Sequence, residues 1–115
     1  MRNSKVGIIG MGWVGSSVAI SILHRGLCKH LLINDARPGI ADGEAMDLRH
    51  GSGFLPSTEV RSSSVREMLD CDIIVITAGR GGKPGETRLD LLTENIAIAK
   101  KISEQLTGFQ GILLI

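Results

Sequence analysis

Three glycines in the run Gly10-Met11-Gly12-Trp13-Val14-Gly15 stand at G-x-G-x-x-G spacing, and an acid, Asp35, follows twenty residues after the last of them. That arrangement serves chemistry on a phosphate. The first glycine permits a tight turn, the second lets a pyrophosphate approach the backbone, and the third lets a helix pack close against a strand. Free N–H groups and the positive end of the helix then face the phosphate oxygens. Asp35 is placed to accept hydrogen bonds from the hydroxyls of an adenosine ribose. Its charge repels a 2′-phosphate, so NAD is expected to bind ahead of NADP. Arg37, two residues on, would soften that preference; its plainer reading is a solvated surface arginine. Trp13 stands where it would face the pyrophosphate, with packing beside the turn as its expected role.

A second stretch, Gly79-Arg-Gly-Gly-Lys-Pro-Gly-Glu-Thr-Arg88, holds four glycines, a proline and three basic residues. Its composition is that of a linker. Yet the apolar run Ile73-Ile-Val-Ile76 leads into it and a long amphipathic pattern follows. The segment either spaces two elements or moves a working side chain, Arg88.

The glycine turn is a weak signal unless the right elements flank it, and here they do. Lys5–Ile9 is an apolar run suited to a buried strand. Apolar residues then recur at helical spacing to His24, where Gly26 supplies a stop. Leu31–Asn34 reads as a second strand ending at Asp35. Pro38 opens a helix with Ile40, Ala41, Ala45, Met46 and Leu48 on its apolar face, closed by Gly51. Glu59–Arg61 is a weak third strand, and Val65, Met68 and Leu69 suggest a brief helical segment. Cys71–Thr77 is the strongest strand, its run Ile73–Ile76 apolar at every position as a strand covered on both faces should be. Leu89, Leu92, Ile96, Ala99, Ile102 and Leu106 step by three or four, predicting a long helix, and Gly111–Ile115 begins a further strand. Strands alternating with helices predict an α/β fold, a doubly wound parallel sheet of about five strands in one dinucleotide-binding domain over residues 1–115. The last apolar run has no turn, cap or polar tail after it. It is expected to be the edge of a piece of something longer.

Composition excludes several other classes. The 115 residues suffice for one domain but not for a typical two-domain enzyme. A net charge of +1, two Phe, one Trp and no Tyr give no support for nucleic-acid binding. No apolar run reaches the length of a bilayer span, so no membrane association is expected. Cys28 and Cys71 lie 43 residues apart without a CxxC arrangement. They read as reduced, packed thiols, which favours the cytoplasm. His24, His30 and His50 lack ligand spacing, so no metal site is expected. His24 and His30 are expected on the surface.

Several segments together resemble one family. Gly10–Gly15, Asp35, Met46-Asp-Leu-Arg-His-Gly51, Thr77-Ala78-Gly79 and Lys83-Pro-Gly-Glu-Thr-Arg-Leu-Asp-Leu91 resemble, in order and spacing, the NAD-dependent L-lactate/malate dehydrogenase family. The resemblance covers essentially the whole chain. It implies an enzyme of about three times this length, usually a dimer or tetramer, that moves a hydride between NAD(H) and an L-2-hydroxy acid or its 2-oxo acid. It implies cofactor contacts at Gly10–Gly15, Asp35, Thr77, Ala78, Gly79 and Asn95. It also implies that the glycine-rich stretch is a loop closing over substrate, with Arg88 donating to the substrate carbonyl oxygen. Hydride addition builds negative charge on that oxygen, and a fixed cationic donor stabilises it by roughly 3–4 kcal/mol. The bland alternative is a surface loop whose arginine pairs with an acid such as Glu86. The family's catalytic histidine and its aspartate partner would lie beyond residue 115, and His50 is not that base, so this chain alone is expected to be inactive.

The resemblance leaves the substrate open. The family's specificity position, six before the loop arginine, is commonly glutamine in lactate enzymes and arginine in malate enzymes; here it is Gly82. Glu86 resembles the lactate side and disfavours a dicarboxylate, although Lys83 and Arg80 would offset it. The missing side chain leaves room for a longer 2-oxo acid. A monocarboxylate substrate is therefore expected ahead of malate-type chemistry. Two other classes compete: a non-catalytic NAD-binding sensor, which has no use for an arginine on a glycine-hinged loop, and an interaction fragment that pairs through its last strand. A short-chain dehydrogenase is disfavoured, since there is no tyrosine for a Tyr-x-x-x-Lys pair.

Overall fold

The computed structural model describes residues 4–51 and 57–115. Five strands alternate with helices: β1 (Lys5–Ile9), α1 (Trp13–Arg25), β2 (His30–Asn34), α2 (Ile40–His50), β3 (Glu59–Ser62), a 3-10 segment (Arg66–Asp70), β4 (Ile73–Ile76), α3 (Arg88–Gln105) and β5 (Ile112–Leu114). All pairings are parallel, and the spatial order is β3-β2-β1-β4-β5. The expected α/β doubly wound sheet is thus what forms. The third crossover carries only a short 3-10 segment.

Alternation along the central strands builds two cores. Val6 and Ile8 of β1 and Leu31 and Ile33 of β2 face the α1/α2 side, where they pack with Ala19, Ile22, Leu23 and Ala45. Ile9 and Leu32 point to the other face and meet Met68, Ile74, Ile102 and Leu106. With both faces covered, these strands can be apolar at every position. The two cysteines are free and buried, Cys28 in the first core and Cys71 in the second, with the sheet between them. Burial pushes the Cys71 thiol up to about 11, so it is inert as a nucleophile.

Three expectations are corrected. Trp13 does not pack beside the turn: its indole is 94% exposed. His30 is not a free surface residue but opens β2, half-buried, with Nδ1 3.1 Å from Glu59 Oε2. The expected apolar face of α3 holds only in its second half, where Ile102 and Leu106 are buried. Leu89, Leu92, Ile96 and Ala99 are exposed, and Leu91, Asn95 and Ile98 turn inward instead. The helix carries two apolar stripes, and its placement on the sheet selects the second.

Candidate functional site

The strand order reverses between β1 and β4: the chain leaves β1 toward β2 on one side and returns on the other. The carboxyl ends of those two strands open the crevice in which open α/β sheets bind ligands. Here the ends are locked together. Thr77 Oγ1 donates to the Gly10 carbonyl at 2.7 Å, and Thr77 N–H donates to Ile9 O at 2.9 Å. Gly10 N–H donates to Asn34 O at 2.8 Å, so the turn is fastened to β2 as well.

The three turn glycines have different reasons. Gly10 has φ +102°, and a Cβ there would lie 2.6 Å from Ala78 N. A Cβ on Gly15 would lie 1.9 Å from Gly10 O, which fixes how closely α1 can approach β1. Gly12 meets neither constraint, for its φ is −80° and a Cβ would find nothing within 4 Å. Folding therefore does not require glycine at position 12. No side chain caps the N-terminus of α1 and no acid lies in its first turn. Its first N–H groups are left to an external acceptor. The N-terminus of α3, by contrast, is closed by a capping box between Thr87 and Asp90.

Asp35 stands directly after β2, with its side chain only 8% exposed. Its Oδ2 accepts from Met11 N–H at 2.8 Å, which ties the glycine turn to the acid. Arg37 is not simply solvated. Nε donates to Asp35 Oδ1 and Nη2 to Asp35 Oδ2, both at 2.9 Å, and Arg37 N–H also donates to Oδ1 at 2.9 Å. The Arg37 guanidinium holds the Asp35 carboxyl down at about 2, helped by the two backbone donors. A groove lined by Asn34, Asp35, Arg37, Ser62, Ser63 and Ser64 runs alongside, between the ends of β2 and β3. An uncapped helix, an unfilled glycine and a carboxylate tied to the same turn suit a dinucleotide. Trp13 and Val14 open α1 at the mouth of the turn, both exposed.

Beyond β4 the chain runs through Thr77, Ala78 and Gly79 into the glycine-rich loop. Asn95, on the inward face of α3, uses its side chain to clasp that loop: Oδ1 accepts from Arg80 N–H at 3.0 Å and Nδ2 donates to Arg80 O at 3.4 Å. The Arg80 guanidinium forks onto Glu86, with Nη1 2.9 Å from Oε1 and Nη2 on Oε2, while its Nε reaches Glu94. Glu86 is consequently paired with Arg80 and not with Arg88, and of the two expected offsets to its charge Arg80 supplies one. The pairing holds the Glu86 carboxyl below its usual range. Arg88 is the first residue of α3, exposed, and has no acid partner among the described residues. Gly82 is exposed, and a Cβ there would make only ordinary contact, 3.9 Å from Leu91 Cδ2. Sequence reasoning missed the Arg80 clasp and the Asp35–Arg37 fork. Their signals are an acid and an arginine two residues apart, and opposite charges within one loop.

No group of three or more His, Cys, Asp or Glu side chains able to hold a metal lies among the described residues. Nor is any described helix long and apolar enough to cross a membrane.

Comparison with known proteins agrees with this geometry. Residues 4–111 match the lactate/malate dehydrogenase NAD binding domain. The chain is 40% identical to the L-lactate dehydrogenase of Bacillus caldotenax over 117 aligned residues, covering 99% of this chain and 37% of that protein. It is 42% identical to that of Geobacillus thermodenitrificans (strain NG80-2) over 115 residues, covering 97% of this chain and 36% of that protein. Among solved structures, the minor L-lactate dehydrogenase from Enterococcus mundtii superposes with a TM-score of 0.91 at 36% identity, covering 97% of this chain and 37% of that one. MGS-M5, a lactate dehydrogenase from a Medee basin deep-sea metagenome library, gives 0.89 at 40% identity, with 98% and 37% covered. The chain thus spans little more than a third of the length of these relatives. A glycine turn locked at the switch point, the acid behind it and the match over residues 4–111 place the chain in the lactate/malate dehydrogenase family, as its NAD-binding domain.

Proposed function

We propose that this chain is the cofactor-holding part of an NAD-dependent L-2-hydroxy acid dehydrogenase, of lactate type ahead of malate type. The observation that carries the reading is Gly12, a glycine the fold does not require, beneath an uncapped helix N-terminus. The first N–H groups of α1 hold the pyrophosphate, and Asp35 holds the adenosine ribose. Thr77, Ala78 and Gly79 line the crevice toward the nicotinamide, and Asn95 positions them by gripping the backbone of residue 80. NAD, when bound, supplies the hydride acceptor of the reaction.

Arg88 is the substrate-facing group of this chain. A cation at the first position of a helix stands where the dipole disfavours it, a cost of about 0.3–1 kcal/mol. The capping box and Asp90 in the same turn offset that cost and fix the start of the helix. A guanidinium without an acid partner is free to donate to a carbonyl oxygen. Glycines 79, 81, 82 and 85 allow the preceding loop to seat over a substrate and exclude water. The monocarboxylate preference rests on Arg80, which is held between Glu86 of the loop and Glu94 of α3. Homo-oligomeric assembly is proposed from the family membership. A cytoplasmic location is supported by two free, buried cysteines.

Trp13 makes the reading testable. It is the only tryptophan in the chain and lies one residue from Gly12, fully accessible. Titration with NADH is expected to quench its emission saturably. Gly12→Val is expected to keep the thermal transition of the parent chain and lose at least about tenfold in affinity, roughly 1.4 kcal/mol. Unchanged affinity in a folded Gly12→Val chain sinks the proposal.

A further inference from the structure

Asp35 has a hydrogen-bond capacity that can be counted. An ionised carboxylate offers about four lone-pair sites. Oδ1 takes Arg37 N–H and Arg37 Nε; Oδ2 takes Met11 N–H and Arg37 Nη2. Every site is filled from within the chain. A ribose diol has two hydroxyls to donate, and the two backbone donors belong to the folded turn. The only partners that can give way are the two from the Arg37 side chain. That side chain is 61% exposed, and besides the fork its Nη2 donates a long hydrogen bond to Met11 O at 3.4 Å, a weak tether to lose when it swings out.

We propose that Arg37 is a displaceable cap on the ribose-binding acid, and that it narrows the chain's discrimination between NAD and NADP. The inference rests on the reading of this turn as an NAD site. Binding of NAD must break the fork to free two acceptor positions for the two hydroxyls. The cap is thus a competitor of the unphosphorylated ribose. A 2′-phosphate reverses its effect. The guanidinium need only rotate off the carboxylate to form a charge-assisted pair with the phosphate oxygens. The groove beside Asp35 is lined by carboxylates as well, Asp42 and Glu67, which take the Ser62 and Ser64 hydroxyls, so the charge of that phosphate is met there by Arg37. The carboxylate still repels the phosphate, so NAD remains the tighter ligand, by a smaller margin than Asp35 alone would set.

The test measures NAD and NADP dissociation constants for the whole 115-residue chain, at low and high salt, beside Arg37→Ala and Arg37→Lys. Thermal melts confirm that each variant folds. Removing the cap with Arg37→Ala is expected to tighten NAD about two- to five-fold, the range of an exposed ion pair, and to weaken NADP at least about five-fold. Lysine keeps the charge without the planar fork, so Arg37→Lys is expected to retain most of the NADP affinity. Salt loosens the fork, so added salt is expected to erode NADP binding faster in the parent chain than in Arg37→Ala. An NAD-to-NADP ratio that Arg37→Ala leaves unchanged, or equal loss of both cofactors, overturns the cap while leaving the NAD site intact. A parent chain that binds neither cofactor overturns the NAD reading itself, and the cap with it.

Discussion

Position 82 is the proposed specificity position of the loop, and the residue there has no side chain. Nothing in the fold demands that absence, since a Cβ would meet only Leu91 Cδ2 at an ordinary 3.9 Å. Packing alone would accommodate a larger residue at this position. Selectivity then falls to the remaining charges of the loop. Arg80 is spent on Glu86 and Glu94, so it offers no free cation to a second carboxylate. In an enzyme of full family length carrying this chain, pyruvate is expected to be reduced with higher kcat/KM than oxaloacetate. Gly82→Arg would supply a charge-assisted pair worth about 1.5–3 kcal/mol. Steady-state kinetics should show it moving the ratio toward oxaloacetate by about tenfold or more. Parent preference for oxaloacetate by about tenfold contradicts the monocarboxylate reading.

The first turn of α3 does two tasks for one element. Thr87 Oγ1 accepts from Asp90 N–H at 3.1 Å, and the Asp90 carboxylate reaches back to Thr87 N–H at 3.4 Å. This box fixes where the helix begins and, with it, the base of Arg88. Thr87→Ala is expected to cost about 0.5–2 kcal/mol in urea unfolding. It should also raise hydrogen exchange at residues 88–91; protection unchanged there would mean the box does not anchor the arginine. The motif was legible as Thr-x-x-Asp ahead of an apolar pattern. The inward face of the helix was not. Leu89, Leu92 and Ile96 follow the right period, yet they are 70%, 55% and 58% exposed. Periodicity reports that a stripe exists, and two stripes offset by a residue or so satisfy it equally well. Contact with Ile74 and Met68 in the second core, made through Ile102 and Leu106, sets the rotation of the helix.

At the scale of the molecule, apolar surface stays open among the described residues on the outer face of α1 around Trp13, Val14 and Leu27, on the first half of α3, and along all of β5. β5 is also an edge, paired to β4 on one side alone. Surfaces of this kind mark contact with other protein, and unpaired apolar edges recruit further strands. The isolated chain is expected to self-associate reversibly at concentrations on the order of 100 μM, seen as a rising sedimentation-average mass. Leu113→Lys and Leu92→Lys together should return it toward monomer with little change in melting temperature, because neither residue is buried. A monomer at that concentration before substitution would show these faces to be inert.

The alternation of strands and helices, the parallel sheet and the place of the glycine turn were all legible along the chain. Each of these is written in local signals: runs of apolar residues, glycines at fixed spacing and an acid at the end of the second strand. Tertiary structure alone decided how the charges are spent. Asp35 and Arg37 satisfy each other, Arg80 gathers Glu86 from its own loop and Glu94 from α3, and Arg88 has no acid partner among the described residues. Spacing along the chain offers Asp35 to Arg37 and Glu86 to Arg80 as neighbours, but which pairs form, and that Glu94 of α3 joins them, depends on distances that the folded backbone sets.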